Sequence, residues 1–382
     1  APGPNLNCTS KGVPVGGSGL SPGTVVDGAG DPTLAQLDGN QESNLILADN
    51  DPDVDLLRGY EGPYDTLVGS RHSEVLEGGA GDDFLTAKEG PDRLDGGPGD
   101  DTLDGGPGDD RLADVAGHNR VDGGTGDDQL SSAAPASGGL FGGDGDDQLA
   151  LQGRARVTLA GGAGDDGYRL DGASARRIFE LPAQGLDTIR VNRSTRLPAN
   201  VERVVGRGRA GLKLSAGVGD QDLIGSAGPD TLTGGPGADV LRGRRGDDTL
   251  LLSRHGFDHA RGGPGADRFV PLVAVARTPR TRWSVPQVRP SAHLIEDLDV
   301  REGDRIVLST RRLGRALARL RGGVRIRHAA FPRGNRPQLL FTRRDSLLRF
   351  DPDGRRGRPP VAIAIVKGRE RLRAAAIRIV TN

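Results

Sequence analysis

Between Gly69 and Ser131 one aliphatic residue recurs every nine positions, with an acid or amide two places before it. The aliphatics are Leu76, Leu85, Leu94, Leu103, Leu112, Val121 and Leu130, and their polar partners are Glu74, Asp83, Asp92, Asp101, Asp110, Asn119 and Asp128. With repeats starting at Gly69, Gly78, Ala87, Gly96, Gly105, Asp114 and Gly123, the polar residue holds the sixth place and the aliphatic the eighth. A single aliphatic among polar neighbours predicts a short strand with one inward side chain after each turn. A fixed short period of such strands predicts a parallel β-solenoid with a thin leucine core.

The turns carry the chemistry. Glycine favours places one, two and four, as in GGAGDDFLT, GGPGDDTLD and GGPGDDRLA. Its tolerance of positive φ lets the chain turn sharply and expose backbone carbonyls, which a hard, oxygen-seeking cation requires. The sixth-place acid supplies negative charge. This nonapeptide resembles the GGxGxDxUx unit of the RTX, or haemolysin-type, calcium-binding family. The resemblance implies an all-β parallel β-roll whose turns alternate between two edges, with each Ca²⁺ between two turns on one edge. Same-edge turns are then Gly78 with Gly96 and Gly105 with Gly123. The implied ligands are Asp83 with Asp101 and Asp110 with Asp128, joined by backbone oxygens of the first, third and fifth places: Gly78, Ala80, Asp82, Gly96, Pro98, Asp100, Gly105, Pro107, Asp109, Gly123, Thr125 and Asp127. Asp92 is a sixth-place acid of the same run.

Degenerate repeats flank this run. GNQESNLIL and NDPDVDLLR place Asn44 and Asp55 at the sixth position, and the repeat at Gly59 has an additional residue before Asp65. Ten-residue spacers lead to GGDGDDQLA and GGAGDDGYR, adding Asp147 and Asp166 as candidate ligands. Each spacer reads as one full turn of ten residues that keeps the strand phase through a small bulge, and Tyr168 at an inward place reads as the end of the leucine ladder. Residues 170–215 lose the glycine period and become strand-like, with Ile189, Val191, Leu197, Val201 and Val204 predicted inward. LDTIRVNRSTRLPANVERVV resembles the wider coils that precede fresh nonapeptides in larger RTX proteins. A second repeat block follows, with Asp230, Asp239, Asp248, Asp258 and Asp267 as candidate ligands and Gln221 at the first sixth place. Same-edge pairing joins Asp230 to Asp248 and Asp239 to Asp258.

Ile295, Asp297, Gly303, Asp304, Ile306, Leu308 and Ser309 match a motif of the serralysin C-terminal region, which implies a C-terminal β cap over the last edge of the roll. The expected organisation is a tail or loosely attached first strand over 1–38, a first roll over 39–169, a connector over 170–215, a second roll over 216–270 and a cap over 271–382.

Composition sharpens this reading. Of 382 residues, 62 are Gly and only 3% are aromatic, too little apolar material for a large conventional core. Bound metal fits as the missing source of folding free energy. Residues 276–382 carry 26 Lys and Arg against 9 Asp and Glu, leaving 25 against 43 in residues 1–275. The acidic part repels itself without cations. The basic end suits a cell-surface polyanion, although a solvated surface is the plainer reading and no specific nucleic-acid reader is expected. Cys8 stands alone, so no internal disulfide forms, and no apolar run approaches a membrane span. The start at Ala1 reads as a processed product or fragment.

His255 and His259 have the spacing of helical zinc ligands, but HGFDH lacks the glutamate of HExxH and lies within a nonapeptide. No nucleophile elbow or phosphate loop occurs. The function expected from sequence is a bacterial, secreted, non-catalytic Ca²⁺-binding module that serves structure, adhesion or export. The rivals are a β-helix polysaccharide epimerase or lyase, and the C-terminal part of an RTX protease without its catalytic domain.

Overall fold

Sixth-place acid, eighth-place aliphatic and the first place of the next repeat lie two residues apart along one strand, so all three side chains point to the same face. In the computed structural model that face is the interior: Asp83, Leu85 and Ala87 are buried in succession, and so are Asp101, Leu103 and Gly105. The structure describes residues 24–27, 36–39, 43–48, 55–272 apart from 134–135, 155, 174–176 and 254–255, then 292–309, 317, 320, 326–327, 337–342, 346–351, 360–367, 372 and 376–380. Cys8, His255 and the connection after 272 lie outside them.

The chain divides into two bodies, Ala1–Arg190 and Val191–Asn382. The boundary falls inside the span expected to be a connector. In the N-terminal body, successive strands alternate between two parallel sheets. One contains Thr24–Asp27, Asn44–Leu47, Thr66–Val68, Phe84–Thr86, Thr102–Pro107, His118–Thr125, Ser137–Asp144 and Arg156–Ala163. The other contains Gln36–Asp38, Leu56–Tyr60, Val75–Gly79, Arg93–Asp95, Arg111–Asp114, Gln129–Ala133, Gln148–Gln152 and Gly167–Asp171. Two strands of these sheets lie within residues 1–38.

Residues eighteen apart are direct neighbours. Leu85 pairs with Leu103, and Leu94 with Leu112. Two columns fill the core, Leu67, Leu85, Leu103, Val121, Leu140 and Leu159 on one sheet and Leu57, Leu76, Leu94, Leu112, Leu130, Leu149 and Tyr168 on the other. Each member is 2% exposed or less, and burial of one such side chain stabilises by about 1.5–3 kcal/mol. From His118 onward the coil lengthens to nineteen residues, so that Val121 pairs with Leu140, Gln129 with Gln148 and Leu140 with Leu159. The ten-residue spacers are therefore half-turns, and the strand phase survives them. Tyr168 does not end the core. It is fully buried, its hydroxyl accepts the Gly161 N–H at 2.5 Å, and Leu170 and Ile189 are buried beyond it.

The C-terminal body repeats the plan. Lys213–Ser215, Thr231–Thr233, Thr249–Leu252 and Arg268–Pro271 stack on one sheet, while Arg203–Gly206, Asp222–Ile224, Val240–Arg242 and His259–Arg261 stack on the other. Their inward columns are Leu214, Leu232, Leu250 and Phe269, and Val204, Leu223, Leu241 and Ala260. Val191, Leu197 and Val201 are also buried. His293–Ile295 and Arg305–Ser309 continue the two stacks in parallel. Ile377–Val380 and Val361–Val366 then add to them, and the antiparallel strands Leu347–Asp351 and Gln338–Thr342 follow.

Candidate metal centre

The sixth-place side chains form columns along the roll edges. On one edge of the N-terminal body the backbone N–H groups of Asn44, Asp65, Asp83 and Asp101 donate to the Oδ1 atoms of Asp65, Asp83, Asp101 and Asn119, at 2.7–3.0 Å. On the other edge Glu74, Asp92, Asp110, Asp128, Asp147 and Asp166 donate in the same way to Asp92, Asp110, Asp128, Asp147, Asp166 and Asp187. Asp83 thus meets Asp101, and Asp110 meets Asp128. Asp55 stays outside the columns and is exposed.

The second carboxylate oxygen has no such partner. Oδ2 of Asp65, Asp83, Asp92, Asp101, Asp110, Asp128, Asp147 and Asp166 is buried without a hydrogen bond. Its surroundings explain the first-place glycine. A methyl group on Gly78 would lie 2.6 Å from Asp83 Oδ2 and 2.7 Å from the Gly96 carbonyl oxygen, and one on Gly105 would collide with Asp110 Oδ2 and with the Gly123 carbonyl. At Gly78 and Gly105 the first-place glycine therefore serves space rather than φ. Positive φ belongs to the second and fourth places, Gly79 at 109° and Gly81 at 134°.

Each cradle combines a buried anionic oxygen with a backbone carbonyl, and these donors fit a hard divalent cation that takes six to eight oxygens. Among the described residues no three Asp, Glu, His or Cys side chains converge as a metal cage. Asp83, Asp110, Gly78, Gly96, Gly105 and Gly123 would hold a Ca²⁺ there; the ion would supply the positive charge the columns lack.

The third and fifth places build the turn. The carbonyls of Pro98, Pro107 and Thr125 accept N–H groups from Gly81, Gly90 and Gly108, while Ala80 N–H donates to the Tyr60 carbonyl. Fifth-place side chains, unforeseen in the sequence reading, form a second, exposed ladder. Asp82 accepts from Asp100 N–H, Asp100 from His118 N–H, and Asp109 from Asp127 N–H, at 2.7–3.0 Å. The frequent DD pair is thus one carboxylate turned in and one turned out.

Burial is the largest cause of a raised pKa along the columns; backbone hydrogen bonds oppose it and neighbouring carboxylates add to it. Asp92 is pushed up to about 8, Asp83, Asp128, Asp147 and Asp166 to about 7, and Asp101 and Asp110 to about 6. In the C-terminal body burial likewise raises Asp248 and Asp267 to about 7 and Asp239 to about 6.

That body has the same ladders, Leu212 to Asp230 to Asp248 to Asp267 to Asp304, and Gln221 to Asp239 to Asp258 to His293. Asp239, Asp248 and Asp267 keep an unpartnered Oδ2. Asp230 and Asp258 do not: Ser226 N–H and Ser253 N–H donate to those atoms. Gln221 donates to the Val201 carbonyl. His293 and Asp304 also complete these ladders, and no nonapeptide position marked them. At Asp297, Oδ1 and Oδ2 accept the Gly262 and Gly263 N–H groups at 2.9 Å.

The family model of the RTX calcium-binding nonapeptide repeat (4 copies) matches residues 77–112, 104–134 and 215–250. No curated protein matches the chain.

Proposed function

From the premise that the chain carries RTX calcium-binding repeats in both bodies, we propose that it is a calcium-gated structural module, secreted from a bacterium and without catalysis of its own. The observation that carries this reading is the row of buried carboxylates with one satisfied and one unpartnered oxygen. Without a cation, each ionised column faces desolvation and like-charge repulsion, while the leucine columns alone make a thin core. With Ca²⁺ in the cradles, binding free energy becomes folding free energy. The roll is then disordered where calcium is scarce and rigid outside the cell.

Export fits the same logic, because an unfolded chain passes a narrow channel and folds on meeting calcium. No helix among the described residues is long and apolar enough to cross a membrane. The segment from His293 acts as the cap, its strands in register with those of the last repeats. Most of the basic residues after 310 lie outside the described ones, and no polyanion site is proposed.

Circular dichroism during a calcium titration tests the proposal. In chelator the β signal is weak, and it rises through roughly 10⁻⁴–10⁻³ M Ca²⁺, whereas Mg²⁺ does not replace it. A full β signal in chelator contradicts the reading.

A further inference from the structure

Repeat 114–122 reads DVAGHNRVD, and two of its residues depart from the pattern together. Asn stands at the sixth place, where the other repeats of the run carry an acid, and Asp stands at the first place, where a small residue is usual. Asn119 keeps the ladder, since its Oδ1 accepts the Asp101 N–H at 3.0 Å. Its other atom has changed character. In place of an unpartnered carboxylate oxygen there is an amide Nδ2, which donates to Asp114 Oδ1 and to the Ala116 carbonyl.

Asp114 is therefore held by one oxygen, and the other turns back toward the preceding turn on the same edge. A methyl group on Gly96 would lie 2.7 Å from Asp101 Oδ2 and 2.8 Å from Asp114 Oδ2. Both oxygens lack a hydrogen-bond partner, and both residues are 1% exposed. At the two preceding cradles of this edge the facing atom is a neutral carbonyl instead, Gly78 O opposite Asp65 Oδ2 and Gly96 O opposite Asp83 Oδ2. The two unpartnered oxygens thus flank one spot beside the Gly96 Cα, a pair of anionic donors for one oxygen-seeking cation.

We infer that Asp114 is a cation ligand, and that with Asp101 it forms a two-carboxylate Ca²⁺ site at Gly96 that fills before the single-carboxylate cradles. The acid absent from the sixth place has moved to the first, and the charge of two repeats is gathered in one pocket. Calcium affinity follows ligand charge, so this pocket outranks its neighbours. It also lies midway along the unbroken run and gives the roll a place from which to fold outward. The inference rests on the calcium-binding reading above.

Calorimetric titration of the full chain with CaCl₂ tests it, comparing the parent, Asp114→Asn, and a double variant with Asp114→Gly and Asn119→Asp. Asp114→Asn loses the tightest class of ions or weakens it by at least about tenfold, while its circular dichroism at saturating calcium matches the parent. The double variant restores the regular repeat, so it folds with calcium but lacks the tightest class. A parent-like isotherm for Asp114→Asn overturns the inference and leaves the calcium reading intact. If Asp114→Asn does not fold, a double variant that retains the tightest class overturns it. A parent that takes up no calcium overturns both readings.

Discussion

The two repeat blocks share ladders, period and core, yet they satisfy their buried carboxylates differently. Over residues 65–166 eight sixth-place acids leave one oxygen unpartnered; over 221–267 only Asp239, Asp248 and Asp267 do. Asp230 takes Ser226 N–H on one oxygen and Ser226 Oγ with Leu212 N–H on the other, and Asp258 has Ser253 in the corresponding role. Glu74, in a degenerate repeat of the first block, is held by Ser70 in the same manner. On the proposed calcium-binding reading, a serine at the first or second place does with hydrogen bonds what a cation does elsewhere, and the blocks differ in how much of their stability comes from outside the chain.

A charge placed in the columns gives the largest effect, and it is the same in both blocks. Leu103→Asp and Leu241→Asp each put an unpaired carboxylate among buried aliphatics, at a cost above about 4 kcal/mol, and neither variant regains β signal at millimolar calcium. If either folded normally, the shared-core half of the comparison would fail.

Next in size is pH in chelator. The column carboxylates have folded pKa values raised above those of the unfolded chain, so the folded state binds more protons and its stability falls as pH rises. That contribution is fully present below about pH 4 and is lost as pH climbs through the folded values of about 6 to 8. Calcium-free protein therefore gains β structure on acidification from pH 8 to 5, and amide exchange should place the gain chiefly in residues 65–166. A calcium-free fold that strengthens with rising pH would reverse the sign of the argument.

Smaller again is the change at one acid. Asp101→Ala lowers calcium affinity about tenfold or more. Glu74→Ala and Asp230→Ala change it by less than about threefold, since serine already occupies their oxygens, and instead each costs about 1–3 kcal/mol of stability. Equal calorimetric effects at Asp101 and Glu74 would erase the distinction between cation-held and serine-held carboxylates.

The fold was legible because a solenoid repeats its contacts: one register places Leu85 on Leu103 and Asp83 beside Asp101. The spacers and Tyr168 were partly legible. Their phase could be read, but the nineteen-residue coil that accommodates them depends on whole half-turns pairing across the sheet. Departures from the repeat were not legible. Asp114 looks like a worn glycine, and Ser226 like a tolerated substitution, until the turn eighteen residues away or the carboxylate four residues on is placed against it. The reason for glycine was also misassigned at one place. Sequence suggests conformational freedom for all three glycines, whereas Gly78 and Gly105 are needed for the room they leave to carboxylate and carbonyl oxygens.

On the proposed reading, external cations hold the first block more than the second. Amide hydrogen exchange of the full chain, with and without chelator, measures this directly. Chelation is expected to abolish protection across residues 65–166, while a measurable part survives around the serine-held carboxylates Asp230 and Asp258. Equal loss in both blocks, or protection of residues 65–166 that persists in chelator, would contradict it.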